Sequence, residues 1–319
     1  MPIQIQGGPA INVVVDSSGQ RAEGGAAIPV AVVTDGRRVT GNRATRVIVV
    51  TNPDKVEGGP AIPVVAAAPG DTAVEGGPAM RVYVVQGSLG TTTYTDKIKA
   101  LSPIAYWPMA EPSGATATDE SGNGRNGAYT AVALGAAGIG DGRTAATFDG
   151  ATSYNNVYSA SLNGAFSGVE GTIAVWMKVS AAGDWTDGAA RELAQINADA
   201  NNRVRLRKST VANTLNFWYN AGGVFKSVDL AGQSATGWLH IAMIWSKSGD
   251  ALKAYVNGAQ VGVTQTGLGA YAGALVANAC CIGAATTSAA EVWKGALAHA
   301  ALWASPLSAA QIATLAVVP

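Results

Sequence analysis

Apolar residues along this chain fall in short runs divided by glycine-rich breaks, and the runs are of two kinds. In residues 1–90 one phrase recurs as "GGPAINVVV", "GGAAIPVAVV", "GNRATRVIVV", "GGPAIPVVAA" and "GGPAMRVYVV". The first glycines of the five copies, Gly7, Gly24, Gly41, Gly58 and Gly76, are 17, 17, 17 and 18 residues apart. A fixed period of this size marks a repeat architecture. Gly-Gly-Pro suits a turn and the Val/Ile run suits a strand, so each copy predicts a turn plus one strand. Runs such as Val47-Ile48-Val49-Val50 do not alternate apolar with polar, so both faces of these strands require cover. Pro29 and Pro63 stand early in their strands, where a missing N–H is tolerated. Such an array needs stacking, or association with other chains, to be stable.

After the Gly/Ser/Thr-rich "QGSLGTTTYTD" the period ends, and all eight tryptophans lie from Trp107 onward. The division predicted is a repetitive anchor or stalk over 1–90, a linker over 91–96 and a second domain over 97–319, long enough for its own core. There the runs read "TIAVWMKV", "RVRLRK", "TLNFWYN", "WLHIAMIWS", "LKAYVNG" and "EVWKGALAHAALW", with turn residues between them. That pattern predicts an all-β domain of two packed sheets or a barrel. The one helical pattern is "SPLSAAQIATLA", with Ser305 as cap and Pro306 at the first helical position.

Charge changes the picture by exclusion. Only 13% of residues are charged and the net charge is zero, with seven basic and seven acidic residues in 1–90 and fourteen of each after it. Neither part is a basic module, so nucleic acid is not an expected partner. A weakly charged surface favours assembly, and a homo-oligomer is expected. No apolar run is long enough to span a membrane, and "MPIQIQGGPAINVVV" is not a signal segment. The chain is therefore expected to be made in the cytoplasm. Cys280 and Cys281 are adjacent in a predicted strand, where their side chains point to opposite faces as small buried residues.

Candidate chemistry is sparse. Asp119, Glu120, Asp141, Asp149, Asp184, Asp187 and Asp250 are scattered in turns, without the closely paired carboxylates of glycoside hydrolysis. His240 and His299 lie in apolar runs and read as core or sheet-surface histidines. The best binding surface is a hairpin of "NRVRLRK" and "TLNFWYN". Its alternation places Val204, Leu206, Leu215, Phe217 and Tyr219 toward the core, and Arg203, Arg205, Arg207, Asn216, Trp218 and Asn220 on the opposite face. Guanidinium, amide and indole groups together can hydrogen-bond hydroxyls or carboxylates and stack on a sugar ring. The other reading of this face is an ordinary solvated or subunit-covered sheet. Trp185, in the polar "AGDWTDG", joins the candidate binding residues as a loop tryptophan.

Several separated motifs, in order, carry a resemblance. "SPIAYWPMAEPSGATATDESGNGRNGAY", "AATFDGATSY", "GWLHIAMIWS" with "AYVNGAQVG", and "WKGALAHAALWASPLSAAQI" resemble the landmarks of laminin-G-like, concanavalin A-like jelly rolls over residues 97–319. The resemblance implies a sandwich of two antiparallel sheets that binds glycans or proteins. It also implies a structural calcium held by an acid near the last strand, but here Ala298 and His299 replace the acidic pair, and Asp149 reads as a turn former. No cofactor, catalytic residue or metal ligand is therefore expected. The repeats resemble segments of tailed-bacteriophage virion proteins, which implies a capsid decoration, head fibre or tail fibre component. In that arrangement residues 1–90 would dock on other virion proteins while 97–319 meets a cell-surface glycan. A bacterial surface or secreted carbohydrate-binding module is the second reading, and a divergent glycan hydrolase the third.

Overall fold

The structure, a computed structural model, describes residues 93–318 in full and, before them, only the backbone of eight short strands: 13–16, 30–33, 39–40, 46–50, 56–57, 63–67, 74–75 and 82–85. The chain divides into two compact units, 1–91 and 92–319.

In the first unit, strands β1 (Val13–Asp16), β2 (Val30–Val33), β4 (Arg46–Val50), β6 (Pro63–Ala67) and β8 (Val82–Val85) form one sheet, in that spatial order. Strands β3 (Val39–Thr40), β5 (Val56–Glu57) and β7 (Val74–Glu75) form another. All pairs are parallel, and Val13 stands opposite Val30, Val30 opposite Val47, Val47 opposite Val64 and Val64 opposite Val82. The two-residue strands are a feature that the one-strand-per-copy expectation missed, being too short to leave an apolar run. Pro63 opens β6, where no ladder N–H is lost from a strand interior. The glycines that define the five copies, and Pro29, lie outside the described residues.

The second unit is an all-β sandwich. Its first sheet runs β10 (Thr116–Ala117), β11 (Gly127–Thr130), β14 (Tyr154–Asn156), β23 (Cys281–Ile282), β16 (Arg191–Asp199), β17 (Asn202–Lys208), β18 (Leu215–Ala221) and β19 (Val224–Leu230). The second runs β12 (Ala133–Ala137), β13 (Thr144–Asp149), β24 (Lys294–Trp303), β15 (Glu170–Val179), β20 (Leu239–Ser246), β21 (Ala251–Val256) and β22 (Ala259–Gln265), with β9 (Ala105–Trp107) also on β24. Every strand pairing within the sandwich sheets is antiparallel.

Two apolar layers explain the uninterrupted runs. Ile173, Val175, Met177 and Val179 of β15, with Ile241, Met243 and Trp245 of β20, enter the main core between the sheets. Their alternates Ala174, Trp176, Ala242 and Ile244 enter a second core on the other side, beneath helices α1 (Tyr94–Lys99) and α3 (Ala309–Leu315). A strand covered on both faces gains from apolar residues at every position.

The helices correct two boundaries. Residues 94–96, read as linker, form the first turn of α1, because Thr93 and Asp96 make a reciprocal capping box and Tyr94 and Ile98 are buried. The cap of α3 is Ser308, not Ser305, since its hydroxyl accepts from Gln311 N–H and the Gln311 side chain accepts from Ser308 N–H. The short helix α2 (Ala160–Ala165), capped by Ser159, was not foreseen. Tyr94 ties these layers together: its hydroxyl accepts from Trp176 Nε1 at 2.6 Å and donates to Leu315 O at 2.6 Å.

His240 and His299 are both buried. His299 has φ 53° at a bulge where the register of β24 against β15 shifts. Its Nδ1 lies 2.7 Å from the Tyr106 hydroxyl and its Nε2 3.1 Å from Asp141 Oδ2. Both cysteines are buried free thiols. Among the described residues, no helix is long and apolar enough to cross a membrane.

Candidate functional site

The hairpin β17–β18 sorts its faces as alternation demands. Val204, Leu206, Leu215, Phe217 and Tyr219 are buried in the main core. Arg203 stands opposite Asn220, Arg205 opposite Trp218 and Arg207 opposite Asn216 on the other face, and β19 extends these rows with Phe225, Ser227 and Asp229.

Most of that face is not free. Arg205 is only 5% exposed, and Arg207, Asn216 and Asn220 are also buried. Two glutamates account for this. Glu192 of β16, fully buried, uses one oxygen to accept from Arg205 Nε at 3.0 Å and Nη2 at 2.5 Å. Glu291, from the segment leading into β24, pairs with Arg205 and, at 3.1 Å, with Arg207. Burial pushes the Glu192 carboxyl up to about 7 against the pull of Arg205. For Arg205 burial acts against the charge, but the two carboxylates raise its pKa overall. The Arg207 guanidinium sits 4.1 Å from the Trp218 ring centroid and the Arg205 guanidinium 5.2 Å from it. Both guanidinium groups are thus within cation–π reach of the indole, and Phe225 meets it edge-on at 5.2 Å. Asn216 donates to Asp229 at 2.8 Å.

The neighbouring row is less committed. Asn197, Arg203, Asn220 and Phe225 are successive cross-strand neighbours on β16, β17, β18 and β19. Asn197 Oδ1, Arg203 Nε and Asn220 Oδ1 are buried and have no hydrogen-bond partner among the described residues. Arg203 has no carboxylate at ion-pair distance among the described residues. Phe225 is 48% exposed and Val224 40%. Their place is set by the turn at Gly222 and Gly223, whose φ values of 56° and 78° favour glycine. A guanidinium and an exposed aromatic ring in one row can take an anion and an apolar ring face.

Trp185 does not belong to this site. It is 1% exposed, lies in the main core and donates from Nε1 to Ala235 O at 2.8 Å. The local polarity misleads because Asp184 turns back on its own segment, accepting from the Ser180 hydroxyl and Ala181 N–H and pairing with Lys294. Sequence reasoning also missed Glu192, Glu291, Asn197 and Phe225. Phe225 could have been found by extending the alternation across Gly222-Gly223 into the next strand.

Asp149 is committed to a turn, accepting from Ala151, Thr152 and Ser153 N–H and from the Thr152 and Ser153 hydroxyls. Among the described residues, no group of three or more His, Cys, Asp or Glu is placed to hold a metal ion.

Comparison with known proteins bears on the fold. The binding domain of Paraclostridial Mosquitocidal Protein 1 is 15% identical, with a TM-score of 0.52 over 69% of this chain and 52% of that one. The botulinum neurotoxin serotype D binding domain is 13% identical, with a TM-score of 0.51 over 70% of this chain and 52% of that one. The chain thus spans about half the length of these toxin domains. Domain 4 of AbnA, a GH43 extracellular arabinanase from Geobacillus stearothermophilus, is 16% identical with a TM-score of 0.47, over 68% of this chain and 98% of that one. No curated protein matches the chain by sequence. The Laminin_G_3 family model, described as the concanavalin A-like lectin/glucanases superfamily, matches residues 149–313, more than half of the chain and most of both sheets. On that match, and on the two-sheet sandwich it falls within, the chain belongs to the concanavalin A-like lectin/glucanases superfamily.

Proposed function

We propose that this protein is a bacteriophage virion structural protein, a capsid decoration, head fibre or tail fibre component, whose sandwich binds a host-surface glycan on the outward face of its first sheet. The observation that carries the glycan reading is the row from Arg203 to Phe225, in which a half-buried guanidinium without an ion pair among the described residues stands in line with an exposed ring. The charge network behind it holds that row rigid, since Arg205 and Arg207 are clamped by Glu192 and Glu291. The superfamily's lectin membership and the binding-domain names of the toxin structures agree with a binding role.

The first unit supports an anchoring role. Among the described strands its larger sheet ends in β1 and β8, and a terminal strand of this kind can pair with neighbouring copies or virion proteins. A shallow face of this kind gives weak single-site affinity, and display in many copies multiplies it.

Two measurements test the reading. Mass spectrometry of purified phage particles should find the protein; its presence on the bacterial surface instead would favour a bacterial carbohydrate-binding module. On host cells, Phe225→Ala in the full-length protein should lower adhesion roughly 5- to 10-fold, the worth of an aromatic stacking contact. Its melting temperature should stay near the wild-type value, because Phe225 is half exposed. Undiminished adhesion would remove this face from the function.

A further inference from the structure

We propose that the ligand of this face is an acidic sugar, a uronic or nonulosonic acid residue, whose carboxylate is held by Arg203; this rests on the glycan-binding reading above. Three arginines, Arg203, Arg205 and Arg207, stand in one file along β17, and two of them already have anions. Glu192 accepts from Arg205 through one oxygen, and Glu291 pairs with both Arg205 and Arg207. Asp229 accepts from Asn216, and Asp199 from Asn201 and Asn202. Among the described residues Arg203 is the one arginine of the file with no carboxylate at ion-pair distance.

Arg203 is half-buried, so its cation is partly stripped of water without an ion-pair partner among the described residues. Burial, and then repulsion from Arg205, both lower its pKa. A desolvated cation without a counter-ion is a standing cost to the fold. A ligand carboxylate, matched to the planar guanidinium fork, would offset that cost.

The groups on either side define the rest of the ligand. Asn197 and Asn220, the direct cross-strand neighbours of Arg203, each have a buried carbonyl oxygen with no donor among the described residues, so neither amide competes with a ligand for the Arg203 guanidinium. Phe225, next to Asn220, offers an exposed ring for the apolar face of a pyranose. Arg203 and Phe225 are two strand spacings apart, about 10 Å, which suits an oligosaccharide with an acidic residue at Arg203 and a neighbouring ring on Phe225; a wholly neutral glycan would leave Arg203 unpaired.

The test is an array carrying oligosaccharides of hyaluronan, polysialic acid and polygalacturonic acid, each beside its carboxyl-reduced neutral counterpart, together with a broad neutral set. Full-length wild-type protein should retain at least one acidic member roughly 10-fold better than its reduced partner, the worth of one charge-assisted bidentate contact. Arg203→Gln should abolish that preference, leaving binding at the neutral level. Arg203→Lys, which keeps the charge but not the fork, should fall between. Arg203→Gln should melt no lower than the wild type, and higher if the unpaired cation costs the fold, since Arg203 has no ion pair among the described residues to lose. Equal retention of acidic and reduced partners, or retention of neutral glycans alone, would overturn the acidic ligand while leaving glycan binding intact. An acid preference that survives Arg203→Gln would overturn the assignment to Arg203. Retention of no glycan at all would overturn both this inference and the reading beneath it.

Discussion

Glu192→Ala is expected to destabilise the sandwich by about 3–5 kcal/mol, the cost of removing one partner from a buried ion pair. Glu192 is fully buried and supplies the oxygen that takes two of the Arg205 N–H groups. Without it a guanidinium 5% exposed keeps only Glu291, which it must share with Arg207. Replacing the pair together, as Glu192→Leu with Arg205→Met, should cost much less, because no lone charge remains inside. Urea denaturation followed by tryptophan fluorescence isolates the effect, since all eight tryptophans lie in the second unit. A Glu192→Ala loss below about 1 kcal/mol would mean that the network is solvated and does not hold the face.

The second large effect is acid lability between pH 6.5 and 4.5. His240 is buried against Trp176, and burial, with a smaller repulsion from His299, takes its pKa down to about 3. Burial also lowers His299, with Asp141 acting in the opposite direction. In the unfolded chain a histidine titrates near 6.5. Below that pH the unfolded state takes up protons that the folded state refuses, so the stability is complete above about 6.5 and declines as pH falls toward 3. The slope is about 1.4 kcal/mol per pH unit for each such histidine, which gives about 3 kcal/mol from His240 alone by pH 4.5. The comparison to make is wild type against His240→Leu at pH 7 and pH 4.5. The carboxylates whose pKa values the fold lowers, Asp187 and Glu170 among them, lose stability in both proteins and cancel. The variant should gain on the wild type by about 3 kcal/mol between the two pH values. A gap independent of pH would show that His240 is not the source.

How much of this could be read from the sequence depended on distance along the chain. The alternation in "NRVRLRK" and "TLNFWYN" was enough to place eleven side chains on their correct faces, because a strand's period of two is a local property. It could not say what lies over those faces. Glu192 reaches Arg205 from an adjacent strand and Glu291 arrives from 86 residues away, so a face that reads as arginines in water is instead a closed charge network. The same limit applies to Trp185, whose polar neighbours fold back on themselves and leave the indole to the core. The capping box of α1 was missed because Thr93 and Asp96 stand in a stretch rich in turn residues, and no long apolar periodicity follows them.

The parallel register of the first unit has a consequence for how such a protein can change. Each strand of β1, β2, β4, β6 and β8 faces the next at the same position of the following copy, so every interior copy meets the same neighbours. Duplicating or deleting one copy leaves those pairings intact and alters only how many there are. Each added rung moves the far end by about 4.8 Å, the spacing between paired strands. The width of this sheet is therefore set by the number of such strands and by nothing particular to any one of them.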